Sequence, residues 1–199
     1  GGRRSQGANR VRIVSGEFRG KALIAPQGDA TRPTSDRARQ AIFNILEHAA
    51  WSPGLRDRRV IDLFAGSGAL GFEALSRGAS FCLFVETDEA ARGAIRDNVD
   101  NLGGLFGKTR VHRRDATDLG VKPGADGPAF ELAFLDPPYG KGLGEAALGR
   151  LAAGGWLAPG AVVVFERGAS EPGFEVAEYE ALDVRDYGAA RVHFLRFGG

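Results

Sequence analysis

The run Arg59-Val-Ile-Asp62-Leu-Phe-Ala65-Gly66-Ser-Gly68-Ala-Leu-Gly71 narrows the choice of fold more than any other part of the chain. It is an apolar strand, a glycine-rich turn, and then a helical pattern from Ala69 to about Arg77. Glycines let the backbone approach a ligand closely and adopt positive φ. The helix that follows starts with unpaired N–H groups. Ser80-Phe-Cys-Leu-Phe-Val-Glu86 then reads as a second buried strand ending on an acid, 20 residues past Gly66. That spacing places a carboxylate to take both hydroxyls of a ribose, so a cofactor with an adenosine half is expected.

Gly66-Ser-Gly68-Ala-Leu-Gly71 also satisfies the dinucleotide pattern G-x-G-x-x-G. Asp62 argues against that reading. An acid at the end of the first strand repels a pyrophosphate and attracts an α-amino group or a sulfonium. S-adenosylmethionine is therefore favoured over a nicotinamide cofactor. Asp115, after the strand-like run Val111-His-Arg-Arg, could reach the adenine amino group, and Asp136 ends a fourth strand. Acids at successive strand ends form a crevice on the edge of a sheet where open α/β folds bind ligands.

Residues Asp136-Pro137-Pro138-Tyr139 follow the apolar run 131–135. The carboxylate can accept a hydrogen bond from an amine. Two prolines remove two backbone donors and stiffen the loop. The ring offers a face on which a base can stack. Together they suit an exocyclic amine of a nucleobase, with Asp136 and the Pro137 carbonyl accepting its hydrogens and Tyr139 stacking on an extruded base.

Helical spacing predicts a helix from about Ser35 to Ala50, with Ala38, Ala41, Ile42, Ile45, Leu46 and Ala49 inward. Strands are expected near 59–63, 80–86, 109–113, 131–136, 161–166, 175–183 and 190–196. Helices near 69–77, 88–101 and 141–153 alternate with the first five, which implies a parallel sheet covered on both faces. The last two strands, turning through Asp183–Gly188, should pair antiparallel at the edge. Segments 101–107 and 122–128 read as variable loops. Arg12-Ile-Val-Ser and Lys21-Ala-Leu-Ile flank Gly16-Glu-Phe-Arg-Gly20, a β-hairpin pattern.

Net charge is only +1, but residues 1–39 hold nine basic and three acidic side chains against seventeen and twenty-two in the rest. That asymmetry points to a nucleic-acid-facing arm, with Arg12, Arg19 and Lys21 positioned to grip phosphates. The expected division is a basic arm over 1–30 and a catalytic domain over 31–199. Cys82, the single cysteine, excludes a disulfide framework and a cysteine-based metal site. His48, His112 and His193 match no zinc spacing, so no metal is expected. No stretch approaches the ~20 apolar residues of a membrane span, and residues 1–6 lack a signal-like core, so a cytoplasmic, monomeric enzyme without a membrane partner is the expectation.

The chain resembles the RsmD-type methyltransferases from Arg12 to about Phe197. The resemblance is carried by Arg12-Ile-Val-Ser-Gly16-Glu-Phe-Arg19-Gly20-Lys21, Thr31-Arg32-Pro-Thr34-Ser-Asp36-Arg37-Ala-Arg39, Val60-Ile-Asp62-Leu-Phe-Ala65-Gly66-Ser-Gly68, Asp136-Pro-Pro-Tyr139, and Tyr187-Gly188 with Arg191-Val-His-Phe-Leu195. The glycine-turn and Asp-Pro-Pro-Tyr pieces are common to many amino-methyltransferases; the amino-terminal block narrows the family. Some members carry Phe at the position of Tyr139. The resemblance implies a Rossmann-like seven-stranded class I sheet with a reversed last strand and an N-terminal β-hairpin extension. It implies methylation by S-adenosylmethionine of a guanine N2 in 16S ribosomal RNA, at position 966, with the small ribosomal subunit or an assembly intermediate as partner. Cofactor contacts are expected from Asp62, Ala65, Gly66, Gly68, Glu86, Asp115 and Ala116. Thr31 and Arg32 lie where the family's amino-terminal loop approaches the site. A DNA adenine-N6 or cytosine-N4 methyltransferase shares the four-residue motif but generally adds a target-recognition segment. A non-catalytic RNA-binding protein on the same scaffold, and last a nicotinamide oxidoreductase, remain as other readings. Glu166, ending the fifth strand, is expected to shape the crevice outside the catalytic set.

Overall fold

The computed structural model describes residues 11–26 and 34–198. Helix α1 (Asp36–His48) starts where Ser35 accepts the Ala38 N–H in its hydroxyl at 3.1 Å, a side-chain cap that satisfies one orphan donor. Ala38, Ile42 and Leu46 of the expected face are buried; Phe43 and the guanidinium-bearing Arg39 are buried beside them. The chain then builds β1 (Arg59–Leu63), α2 (Ala69–Ser76), β2 (Phe81–Val85), α3 (Glu89–Leu102), β3 (Thr109–His112), β4 (Phe130–Leu135), α4 (Leu143–Ala153), β5 (Leu157–Gly168), β6 (Tyr179–Tyr187) and β7 (Ala190–Phe197).

These seven strands form one sheet in the order β3-β2-β1-β4-β5-β7-β6. The first five run parallel, and β7 lies antiparallel between β5 and β6. This is the α/β Rossmann-like arrangement of class I methyltransferases. Strand order reverses between β1 and β4, which opens the crevice where such sheets bind ligands. Successive strand residues face opposite sides. Val60, Phe84, Phe134 and Phe194 pack with α1, α2 and α3 on one face. Ile61, Leu83, Leu135 and Phe165 pack with Leu148 and Leu151 of α4 on the other.

The expected hairpin over residues 12–21 has less regular structure than the sequence pattern suggests. One antiparallel bridge joins Arg12 to Ala22. Ile13 N–H donates to the Lys21 carbonyl at 2.9 Å and Leu23 N–H to that of Val11 at 2.8 Å. Ile13, Phe18 and Leu23 are buried in the same cluster as α2. The turn thus lies on the domain rather than projecting from it. A Cβ on Gly16, at φ 89°, would fall 2.0 Å from the Ser76 carbonyl oxygen, so only glycine permits this approach.

One further difference concerns the end of the chain. The turn expected over 183–188 is strand instead: β6 continues to Tyr187, and Gly188 and Ala189 alone make the turn, with Gly188 at φ 59°. Asp183, Arg185 and Asp186 mimic turn composition because an edge strand exposes its polar residues. Asp186 then pairs with Arg191 across the turn at 2.7 Å. The β3–β4 connection, where no helix is expected and 122–128 reads as a loop, holds short 3-10 turns at 116–118 and 124–126.

Candidate active site

Parallel strands deliver their carboxyl ends to one edge, and the acids arrive there together. Asp62 sits one residue before the end of β1, opposite Phe84 of β2 and Phe134 of β4. Glu86 and Asp136 directly follow β2 and β4. A cavity of about 870 Å³ opens at this edge. Asp62, Ala65, Gly66, Glu86, Asp115, Ala116, Asp136, Pro137 and Tyr139 all line it. Gly68 does not; it sits behind the wall as the N-cap of α2, at φ 83°. Arg12, Arg19 and Lys21 lie on the amino-terminal turn away from the cavity lining, and Thr31 and Arg32 fall outside the described residues.

Asp62 is 2 % exposed, and among the described residues its donor is the Gly71 N–H, at 3.0 Å. Burial pushes its carboxyl well above the usual range; the Gly71 bond opposes that and Glu86 adds to it. A buried acid with one neutral donor is what a cationic ligand group would relieve. Gly71 itself packs closely: a Cβ there would lie 2.4 Å from the Phe84 ring and 2.7 Å from Cys82 Sγ. The third glycine of the turn therefore serves helix–sheet packing and frees its N–H for Asp62.

Glu86 accepts the Gly66 N–H at 2.8 Å through one oxygen and the Asp88 N–H at 2.9 Å through the other. It locks the glycine turn to the β2 end, and a carboxylate has capacity for further donors such as ribose hydroxyls. Arg92 on α3 holds the same corner by donating to the carbonyls of Glu86 and Thr87. Asp115 is exposed and takes the hydroxyl and N–H of Thr117 on one oxygen, which lowers its pKa. Phe64 lines the cavity at φ 56°, a left-handed conformation unusual for an aromatic residue.

At the β4 end, Pro137 is buried and Tyr139 is 46 % exposed. The Tyr139 hydroxyl donates to Glu166 at 3.1 Å, and burial followed by repulsion from Glu166 raises its pKa. Thr34 donates to the other oxygen of Glu166 at 3.0 Å. Burial first, and then the neighbouring charges of Glu166 and Asp62, raise Asp136 well above the usual carboxylate value. Glu166 is visible in the sequence only as an acid after an apolar strand; its contacts with Thr34 and Tyr139 are tertiary. Glu73 carries no motif signal, and Arg39 enters the sequence reading only as the last residue of the amino-terminal block. Arg39 lines the cavity and is 1 % exposed, donating to Glu73, Asp36 and the Arg12 carbonyl, and its Nη1 has no partner among the described residues.

The residues fit S-adenosylmethionine. A glycine turn faces open space at Gly66, an acceptor stands at Glu86, and the buried acid Asp62 suits a positively charged group. Glu86 and Asp62 would hold the two ends of such a molecule.

Residues 11–196 match the model of the family described as conserved hypothetical protein 95. The chain is 35% identical to the ribosomal RNA small subunit methyltransferase D of Haemophilus influenzae, over 81% of each chain. It is 36% identical to the protein of the same name from Escherichia coli K12, over 80% of this chain and 76% of that one. The solved structure of yhhF from Escherichia coli superposes with a TM-score of 0.79 at 30% identity, covering 96% of this chain and 99% of that one. The chain belongs to the conserved hypothetical protein 95 family, that of the RsmD-type methyltransferases.

Proposed function

We propose that this protein methylates the exocyclic N2 of a guanine in small-subunit ribosomal RNA, at position 966 of the 16S molecule, using S-adenosylmethionine. The observation that carries this reading is the corner made by Asp136, Pro137 and Tyr139 beside Asp62, on the wall of one cavity. The names of the relatives support an rRNA substrate. The small subunit or its assembly intermediate is the proposed partner, the protein acts as a monomer in the cytoplasm, and the turn carrying Arg19 and Lys21 contacts RNA phosphates.

Held by Asp62 and Glu86, S-adenosylmethionine would supply a methyl group on cationic sulfur to the lone pair of the amine. The protein's part is to bind and orient. Asp136 accepts an amine hydrogen and turns the lone pair toward the methyl group. The half-exposed Tyr139 ring stacks on the extruded guanine. Holding the reactants in line is worth up to ~7–11 kcal/mol in favourable cases.

Tritiated methyl transfer to small subunits from cells lacking this enzyme tests the reading, with Asp136→Ala as control. Label recovered as N2-methylguanosine, absent with the variant, supports it. Label found instead as N6-methyladenine in duplex DNA replaces the substrate and keeps the chemistry.

A further inference from the structure

We infer that Arg39 is a cofactor-binding residue: its guanidinium takes the α-carboxylate of S-adenosylmethionine while Asp62 takes the α-amino group, so the two side chains together read the amino-acid end of the cofactor. This goes beyond the methylation reading above and does not depend on which amine receives the methyl group.

Arg39 lies on α1, borders the cavity and is 1 % exposed. Protein groups fill most of its donor set. Nε donates to Glu73 at 3.3 Å, and Nη2 donates to Asp36 at 2.8 Å and to the Arg12 carbonyl. Nη1 is buried and has no partner among the described residues. A guanidinium cannot shed its charge to escape that deficit, and a buried charged donor left without an acceptor is costly. Asp36 is mostly exposed and Glu73 is shared with Arg77, so Arg39 is not fully neutralised by its protein partners. Four guanidiniums keep a buried nitrogen without a partner among the described residues, those of Arg39, Arg58, Arg77 and Arg167; Arg39 alone borders the cavity.

The fold sets Arg39 beside Asp62. Strand residues alternate in facing, so Asp62 shares the sheet face of Val60, the face covered by α1, α2 and α3. Asp62 is also in register with Phe134, whose ring packs on Phe43 of α1 at 5.5 Å. Arg39 is one helical turn before Phe43, toward Thr34 and the cavity. Helix α2 fastens both groups from the other side: Asp62 accepts the Gly71 N–H, and Arg39 donates to Glu73. The other guanidinium on the cavity wall, Arg114, follows β3, donates to the Leu119 carbonyl at 2.8 Å and lies over the Trp156 ring. An α-amino acid carries its ammonium and its carboxylate on one carbon. A buried acid and an under-satisfied guanidinium on the same side of the sheet are complementary to that pair. An RNA phosphate, the competing anion, would meet exposed cations before a side chain buried this deeply.

The test is calorimetric binding to the full chain, without RNA, of two ligands that differ only in the carboxylate: S-adenosylmethionine and its decarboxylated form. The wild type should bind the intact cofactor more tightly by roughly tenfold to a hundredfold, the range of one charge-assisted hydrogen bond. Arg39→Met should lose that preference and bind the decarboxylated form about as the wild type does. Glu73 loses a partner in that variant, so Arg39→Lys is measured beside it. Lysine keeps a cation for Glu73 and lacks the second arm of the fork, so the preference should shrink there too. Asp62→Asn should weaken both ligands alike and keep the preference, because both carry the amine. The ratio of the two affinities within one protein cancels any general loosening of the site. Equal binding of the two ligands by the wild type, or an undiminished preference in either Arg39 variant, overturns the inference. An unchanged ratio accompanied by weaker RNA binding in Arg39→Met overturns it in favour of a phosphate.

Discussion

Glu73 on α2 accepts the backbone N–H of Val14 at 2.8 Å, across 59 residues of sequence. Its second oxygen takes the Ser15 N–H at 3.1 Å, and Arg39 and Arg77 donate to the same carboxylate. Glu73 is fully buried, and the two guanidiniums are nearly so. One acid therefore docks the amino-terminal turn, neutralises two buried cations, and ties α1 to α2 behind the cavity.

Removing that acid should be costly. Glu73→Ala leaves Arg39 and Arg77 buried with much of their compensation gone, a situation worth about 3–5 kcal/mol. Arg77 keeps Glu47 at 3.4 Å and Arg39 keeps Asp36 at 2.8 Å, so the lower end of that range is expected. Urea denaturation measures the loss. Limited proteolysis should cut first within residues 11–26, because the same change frees two backbone donors of that turn. Unaltered stability and protection would show that the apolar contacts of Ile13, Phe18 and Leu23 hold the turn by themselves.

Asp62 should make the cofactor-free protein less stable as pH rises. Its folded pKa is raised above the unfolded value of about 3.9. A group shifted this way contributes its full stability below the unfolded pKa, and loses it as pH climbs through the folded one. Asp62→Asn keeps an oxygen for Gly71 and cannot ionise. The variant should match the wild type near pH 4 and exceed it at neutral pH, seen as a higher Tm. Binding of S-adenosylmethionine, read by calorimetry, should weaken in the same variant because the acid facing the cation is gone. A Tm difference independent of pH would sink the titration account.

Why the architecture was legible and part of the site was not follows from the range of the interactions. Helix α1, the glycine turn and the strand ends are written in local periodicity and punctuation, and each appears within a few residues of its expected place. The second half of edge strand β6 hid behind turn-forming residues because its outer side faces solvent. Glu166 reaches Tyr139 across 27 residues, Arg39 reaches Glu73 across 34 and Glu73 reaches Val14 across 59, distances that no local spacing announces. Arg12, expected as a phosphate ligand, also donates its guanidinium to the Gly20 carbonyl at 3.0 Å and closes its own turn, a local role that its charge alone does not announce.

Gly71 is the position where packing and ligand binding are least separable. An alanine Cβ would enter the space of the Phe84 ring and Cys82 Sγ, so α2 must move away from β2 and carry the Gly71 N–H from Asp62. Gly71→Ala should lose about 1–3 kcal/mol of stability, the usual cost of overpacking. S-adenosylmethionine affinity should fall by roughly tenfold, about 1.4 kcal/mol, because the glycine turn shifts with the helix. Stability lost with affinity intact would mean that the strain is absorbed by the Phe84 ring instead of the turn.

Arg19 and Lys21 are exposed, and neither donates a side-chain hydrogen bond among the described residues. Ile13, Phe18 and Leu23 anchor the turn beneath them, so both cations can be removed without touching the core. If they meet phosphates, each releases counterions on binding. The double variant Arg19→Ala with Lys21→Ala should then reduce the slope of log affinity against log salt by about 1.4, two contacts at ~0.7 each for single-stranded RNA. Thermal stability should stay within about 0.5 kcal/mol of wild type, as for surface changes generally. Arg12→Ala is the contrasting case, because its bond to Gly20 helps close the turn; it should lower both RNA affinity and protection of residues 11–26. Filter binding of the target rRNA segment across a salt series separates the two. An unchanged slope in the double variant would move the RNA-binding face away from this turn.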